Sequence, residues 1–184
     1  MRPAKISDKQ LFGRLTEVFR RKGYDGASYA DLTEASGLVK ASLYHRFPGG
    51  KEEMVDAILS EVDRQFAEYV LAPAMEEGEP KERARRMARR LREFYDSGKS
   101  WCLLDTLSLA ESRSTLAHAR KSMEFWVESF ARVGRDGGLS AGMARKHAEE
   151  AVAAIEGGLV VARVLKNRRP ILRALAGLSK KLTE

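Results

Sequence analysis

The 184-residue sequence has a single cysteine, Cys102, and lacks any apolar segment long enough to span a membrane. One cysteine cannot form an intrachain disulfide bond or supply the several thiolates of a structural zinc site. A membrane-spanning helix needs about 20 consecutive apolar residues. Glycine-rich phosphate-binding motifs and the residue pattern of a hydrolase triad are also missing. We therefore expect a soluble, cytoplasmic protein without membrane partner, metal or cofactor, and an enzyme is the least favoured interpretation.

Valine and isoleucine are sparse, and no segment alternates between apolar and polar residues for long, so the pattern of β-strands is missing as well. Apolar residues instead recur every three or four positions, which predicts helices throughout. Ser7 and Gln10 have the spacing of a helix-capping box, and Gly37 separates two short helices. We predict an all-α fold with a small domain over residues 1–50 and a larger helical domain over residues 51–184.

The excess of positive charge belongs mostly to the N-terminal part of the chain. The first 51 residues carry ten Lys or Arg and five Asp or Glu, whereas the remaining 133 carry 23 and 21. The net charge of the whole chain is +7 with neutral histidines. A basic small domain favours an anionic partner, nucleic acid first, although an ordinary solvated surface can have the same composition.

Residues 28–51 have the pattern of a helix-turn-helix. A first short helix would begin at Ser28 and end before Gly37, which permits a left-handed turn, and a second would run from about Val39 to Phe47. In DNA-binding proteins the second helix of this motif lies in the major groove, which is about 12 Å wide. Two short helices joined at a glycine also occur in other helical bundles, so the pattern alone leaves both interpretations open.

The second of these helices carries side chains suited to reading bases. Lysine donates hydrogen bonds to guanine, serine bonds to bases or phosphates, and the alanine methyl group packs against thymine. The base-reading candidates are Lys40, Ala41, Ser42 and Tyr44. The candidates for phosphate contacts are Ser28, Tyr29, Tyr44, Arg46 and Lys51.

Residues 28–54 resemble the DNA-binding domain of the TetR/AcrR family of transcriptional regulators. The resemblance rests on Ser28, on Gly37-Leu38 at the turn, on KASLYHRF at 40–47 and on KEEM at 51–54. It implies that the candidates named above contact double-stranded operator DNA, and it adds His45 to them. It also implies a homodimeric regulator, a repressor that a small apolar ligand releases from its operator. The alternative is a helical protein that binds small molecules or other proteins and does not read DNA.

The larger domain has aromatic and methionine residues on several predicted helices. They could line an apolar ligand pocket or form an ordinary core, and both interpretations stay open at this point. The pocket candidates are Phe66, Phe94, Tyr95, Trp101, Met123 and Trp126. Residues 83–92 also include six arginines, which we interpret as the solvated face of an amphipathic helix.

The last two predicted helices, at about 140–166 and 170–182, carry more than one apolar stripe. Two apolar stripes on one helix need two partners, of which one would be the rest of the chain and the other a second subunit. The residues predicted for the dimer interface are Val152, Ile155, Gly158, Leu159, Ala162, Ile171, Leu175 and Leu178. The alternative is a single central helix that is buried on all sides.

Overall fold

A computed structural model describes residues 6–98 and 100–184. Every regular element within these residues is helical, which confirms the predicted all-α fold. The first five residues of the predicted small domain lie outside the described part of the chain. Among the helices that are described, none combines the length and the apolar character that a membrane crossing requires.

The chain begins with four helices, which are α1 (Asp8–Gly26), α2 (Tyr29–Ser36), α3 (Lys40–Arg46) and α4 (Gly50–Gln65). A π-helical turn, Phe66–Leu71, and a 3-10 turn, Ala72–Ala74, follow α4 directly. The remaining helices are α5 (Pro80–Phe94), α6 (Leu103–Leu107), α7 (Arg113–Asp136), α8 (Ala141–Leu165) and α9 (Arg169–Thr183). Helices α2 and α3 are the two short helices that the helix-turn-helix pattern predicts.

The described residues form two compact units. The first contains the chain up to residue 62 together with 103–120, and the second contains 63–102 and 121–184. Two of the three unit boundaries therefore fall within α4 and α7, and the third lies directly before α6. The predicted domain division between residues 50 and 51, which lies in the first turn of α4, stays a prediction.

Local sequence explains where the helices of the first unit begin and end. The Gln10 backbone N–H donates to the Ser7 hydroxyl at 3.3 Å, and the Ser7 N–H donates to the Gln10 side chain at 3.2 Å, so the predicted capping box is present. Gly37 ends α2 with φ 72° and ψ 12°, the left-handed conformation that glycine adopts at little cost. The turn between α2 and α3 thus follows from the sequence.

The core of the first unit gathers apolar side chains from α1, α2, α3, α4 and α6. Leu11 and Phe19 of α1, Leu43 of α3 and Leu107 of α6 are all completely buried in it. Leu43 is the one buried residue of α3, a helix that is described over its whole length. This single anchor leaves the rest of α3 available to a binding partner.

In the second unit, α9 packs against both α5 and α8. A Cβ atom on Gly158 of α8 would lie 3.0 Å from the Cα atom of Ile171 in α9, so the two backbones approach closely at this glycine. A larger side chain at residue 158 would therefore disturb the packing of α8 on α9.

The residues predicted for the dimer interface are buried inside this unit rather than exposed on it. They are Val152, Ile155, Gly158, Leu159, Ala162, Ile171, Leu175 and Leu178. These side chains therefore pack within their own chain, and which residues contact a second copy stays a prediction. The exposed apolar residues of α8 form a neighbouring stripe, with Gly157, Val161 and Val164 among them. Periodicity revealed two stripes but did not show which of them faces the chain's own core.

Helix α5 contains the six arginines of residues 83–92, and one of them is not part of a solvated face. Arg83 is only 4% exposed. Its guanidinium donates to the carbonyl oxygens of Pro73 at 2.9 Å and Ala74 at 2.5 Å, and to the Asp136 carboxylate at 2.8 Å. The prediction of a solvated side chain is therefore wrong for Arg83, since acceptors from distant segments surround it. Arg89 of the same helix is exposed, as predicted.

Candidate nucleic-acid interface

The first turn of α3 projects from the first unit. Residues 39–42 are all exposed, whereas Leu43, which follows them, is completely buried. The solvent-exposed members of the predicted DNA-binding set on this helix are Lys40, Ala41, Ser42, Tyr44 and His45. The buried leucine fixes the helix while the surrounding side chains remain accessible, which is the arrangement that base reading requires.

Two of the predicted phosphate contacts, Tyr29 of α2 and Tyr44 of α3, stack on one another. Their ring centroids are 5.1 Å apart and their planes are inclined by 19°. The Lys40 Nζ atom lies 5.0 Å from the centroid of the Tyr29 ring and 5.8 Å from that of Tyr44. Aromatic rings attract a cation placed over their faces. The stack therefore holds the ammonium group of a predicted base reader beside both tyrosines.

Tyr29 also contacts the start of α4. A Cβ atom on Gly50, which has φ +69°, would lie 2.9 Å from the Tyr29 Oη atom, so both the backbone conformation and the space favour glycine there. Burial and a hydrogen bond with Tyr44 raise the pKa of Tyr29 to about 12, against the opposing effect of a hydrogen bond from the Lys51 backbone N–H. The phenol is therefore neutral and keeps its proton at physiological pH.

Ser28, a predicted phosphate contact, caps α2 through a hydrogen-bonded box with Asp31. Its hydroxyl donates to the Asp31 carboxylate at 2.7 Å and its backbone N–H donates to the same oxygen at 3.0 Å. The Asp31 N–H donates to the Ser28 hydroxyl oxygen at 3.2 Å. Both donors of Ser28 are therefore engaged within the cap. The first-turn N–H groups of Tyr29 and Ala30, which the capping box does not use, are better placed to bind an anion.

The Asp31 carboxylate makes the capping of α2 dependent on pH. Hydrogen bonds from the Lys22 side chain and from Ser28 lower the pKa of Asp31 to about 2. Because an unfolded aspartate has a pKa of about 3.9, ionised Asp31 stabilises the folded unit above that pH, and the stabilisation is lost as the pH falls towards 2. We expect Asp31→Asn to melt at a lower temperature than the wild type at pH 6, with a difference that shrinks towards pH 2.

Glu34→Gln is the matched control for this measurement, since it removes one exposed carboxylate from the same helix. Its melting temperature should follow that of the wild type across the same pH range. Equal melting of Asp31→Asn and the wild type at pH 6 would contradict a stabilising role for the ionised cap.

The other two predicted phosphate contacts have partners within the first unit. The Arg46 guanidinium forms an ion pair with Asp8 of α1. The Lys51 Nζ atom donates to the Ala27 carbonyl oxygen at 3.3 Å and lies 4.7 Å from the centroid of the Tyr24 ring. Sequence reasoning missed these partners because they are distant in the chain and no local spacing indicates them. An ammonium group has three donors, so Lys51 retains donors for a phosphate.

The predicted pocket residues of the second unit are brought together only in part. Phe66, in the π-helical turn, meets Phe94 of α5 with 5.2 Å between ring centroids and Trp126 of α7 with 5.0 Å. Tyr95 extends the cluster, with its ring centroid 5.3 Å from that of Phe94. The Trp101 ring instead has the Arg163 guanidinium 5.3 Å from its centroid.

Trp126 is buried, and the environment of its indole N–H is unusual. Its side chain is buried, and no acceptor within the described residues lies at hydrogen-bond distance from its indole N–H. A buried donor without an acceptor is uncommon in a native core. Met123 lies one helical turn earlier on α7 and is half-buried. Aromatic contacts therefore link Phe66, Phe94, Tyr95 and Trp126, and they do not include Trp101.

Comparison with known proteins gives a match to a family model and to solved structures. The model described as "Bacterial regulatory proteins, tetR family" matches residues 15–58. The HTH-type transcriptional regulator LmrA of Bacillus subtilis (strain 168) is 25% identical over 172 residues, which are 90% of this chain and 91% of that protein. All nine predicted DNA-binding residues lie within the matched segment.

Two solved structures show the same fold over nearly the whole chain. A TetR transcriptional regulator from Legionella pneumophila has a TM-score of 0.85 at 20% identity, covering 97% of this chain and 98% of that one. The TetR-family regulator CifR, a cysteine mutant complexed with 26-bp double-strand operator DNA, has a TM-score of 0.79 at 23% identity, covering 97% and 98%. The helical arrangement described above is thus that of known regulators.

Proposed function

Because the chain belongs to the TetR family of bacterial regulatory proteins and is a DNA-binding transcriptional regulator, we propose that it represses its target genes as a homodimer. A small apolar ligand then releases it from the operator. The observation that carries the proposal is the first turn of α3, where exposed side chains surround the single anchor Leu43. Operator DNA of bacteria lies in the cytoplasm, where we place the protein.

The geometry of α2 and α3 supports separate sets of groups for base contacts and for phosphate contacts. Lys40 and Ser42 carry hydrogen-bond donors that suit base edges in the major groove. Phosphates would be bound by the Tyr44 hydroxyl and by the first-turn N–H groups of α2. Arg46 and Lys51 add positive charge at the other end of α3, although each must share its donors with its partner in the first unit.

Substitution of Lys40 and of Lys51 should affect DNA binding differently. Loss of a base contact in Lys40→Ala should change the preference between operator variants by about 1–3 kcal/mol. Loss of a phosphate contact in Lys51→Ala should weaken binding to all duplexes alike and reduce the salt dependence by about one unit. Titration of the protein's own upstream region and of base-substituted variants, at several salt concentrations, measures both effects.

Lys121→Ala is the control for these titrations, because Lys121 is an exposed lysine of α7 outside the proposed interface. It should leave both the affinity and the salt dependence close to those of the wild type. If Lys40→Ala kept the wild-type affinity and preference at moderate salt, α3 would not be the reading helix.

A second copy of the chain is the proposed partner of the exposed stripe on α8. Ala154, Gly157, Val161 and Val164 repeat at three- and four-residue steps along one exposed face. The small residues would let a second helix approach closely, and the valines would lose apolar surface to water unless covered. A two-fold dimer also holds two reading helices at a fixed distance, as a palindromic operator requires.

The aromatic cluster of the second unit supports an apolar effector. The half-buried Phe66 ring contacts both Phe94 and Trp126, and the indole N–H of Trp126 is the donor that an oxygen atom of the ligand would accept from. The π-helical turn that carries Phe66 follows α4 directly, and such turns are frequent at functional sites. Because Phe66 directly follows the last residue of α4, a ligand that displaces the Phe66 side chain would disturb the C-terminal end of α4.

Effector binding and operator release should be coupled in both directions. We expect some neutral aromatic compounds of a screened panel to change the emission of Trp126 in a Trp101→Phe variant, in which it is the sole tryptophan. The same compounds should displace operator DNA, and operator DNA should weaken their binding by the same factor. Moving the population from 1:99 to 99:1 requires about 5.5 kcal/mol of differential affinity. Tight binding beside Trp126 with unchanged operator affinity would contradict the switch.

A further inference from the structure

Val39 is an exposed apolar residue at the start of the reading helix. It immediately precedes Lys40, the first helical residue of α3, and its side chain is 68% exposed. It is also the first of the four consecutive exposed residues, 39–42, that form the projecting turn. Apolar surface at this place contributes nothing to the core of the first unit.

The fold gives no reason for a valine at this position. A helix is best preceded by Ser, Thr, Asp or Asn, whose side chain accepts a hydrogen bond from the first turn. Ser7, Ser28 and Ser140 cap α1, α2 and α8 in this way, whereas Val39 forms no side-chain capping bond. Val39 therefore combines an uncapped helix start with an exposed isopropyl group. Departures from local rules of this kind are expected at functional positions.

We propose that Val39 reads a thymine by packing its isopropyl group against the C5-methyl of that base. The proposal rests on the proposed function, in which α3 enters the major groove. The thymine methyl is the apolar group that base edges present in that groove. Val39 has an extended backbone, with φ −73° and ψ 155°, and its branched side chain has few rotamers, so it loses little freedom on contact.

The neighbours of Val39 favour DNA over a protein or a lipid surface as the partner. Lys40 and Ser42 lie in the same exposed turn. Burial of a lysine and a serine against an apolar surface would be unfavourable without hydrogen-bond partners, whereas base edges and phosphates provide acceptors for both. Val39 and Lys40 would then read adjacent positions, thymine through its methyl group and guanine through its acceptors.

Replacement of thymine by uracil tests this contact, because it removes the C5-methyl group and leaves the hydrogen-bonding edge unchanged. The probe is a duplex that the wild-type protein enriches from a randomised pool. We expect uracil at one thymine of each half-site to weaken wild-type binding about fourfold per half-site, as burial of one methyl group predicts. Val39→Ala should bind the thymine and uracil duplexes equally at that position.

The remaining thymines of the same duplex are internal controls, since uracil at those positions should affect the wild type and Val39→Ala alike. Equal melting temperatures would show that Val39→Ala is folded. The proposal is overturned if no uracil substitution discriminates between the two proteins, or if Val39→Ala weakens thymine and uracil duplexes by the same factor at every position. If the wild type enriches no duplex at all, the proposed function itself fails, which is a distinguishable result.

Discussion

Val164→Glu should produce a monomer and weaken operator binding by at least about a hundredfold, because two linked reading helices gain that much over one. Val164 is 70% exposed on α8, so a glutamate is tolerated in the isolated chain. In a dimer that covers the exposed stripe of α8, the carboxylate would be buried without a partner, at a cost on the order of several kcal/mol. Sedimentation and operator titration measure the two effects.

Phe125→Glu is the matched control for the dimer. Phe125 is also a large apolar residue of the second unit, 49% exposed on α7, and lies outside the α8 stripe. The control variant should remain dimeric and bind the operator normally. A Val164→Glu protein that sedimented as a dimer and kept its operator affinity would exclude this stripe from the interface.

Arg83→Met should lower the free energy of unfolding by about 3 kcal/mol, the cost of leaving buried hydrogen-bonding groups unpaired. Methionine preserves the apolar stem of the side chain but removes the donors to the Pro73 and Ala74 carbonyls and to Asp136. The two carbonyl groups belong to buried residues, whereas Asp136 is partly exposed and regains water. Urea denaturation of the two proteins gives the difference.

Arg89→Met provides the comparison on the same helix. Arg89 is exposed, and its substitution should change the unfolding free energy by less than about 0.5 kcal/mol, as is usual for surface positions. Equal stabilities of the Arg83→Met and Arg89→Met proteins would contradict the structural role of the buried guanidinium.

The helix-turn-helix could be predicted from the sequence because its signals are local. The Ser28 cap, the left-handed Gly37 and the apolar Leu43 act within a few residues of where they stand, and the structure has each of them in the predicted conformation or environment. The exposure of Lys40 and Ser42 follows from the same periodicity once Leu43 is the buried residue.

Contacts between distant segments could not be predicted in the same way. The ion pair of Arg46 with Asp8 joins residues 38 positions apart, and the hydrogen bond of Lys51 to the Ala27 carbonyl joins residues 24 apart. Neither pair has a characteristic spacing, because the partners meet only after α1 has packed with α3 and α4. The candidate site was therefore predictable as a set of residues but not as a set of hydrogen bonds.

The sequence by itself determined the helices, their caps and the position of α3, since these depend on periodicity and on short-range hydrogen bonds. Some helices have two apolar stripes or many charged residues. In these helices, tertiary structure alone decided which face is buried. Gly158 is buried against Ile171 while its neighbour Gly157 is exposed, and Arg83 is buried while Arg89 is not. One residue along a helix is a rotation of about 100°, so the choice between neighbouring faces depends on the helix that packs beside it.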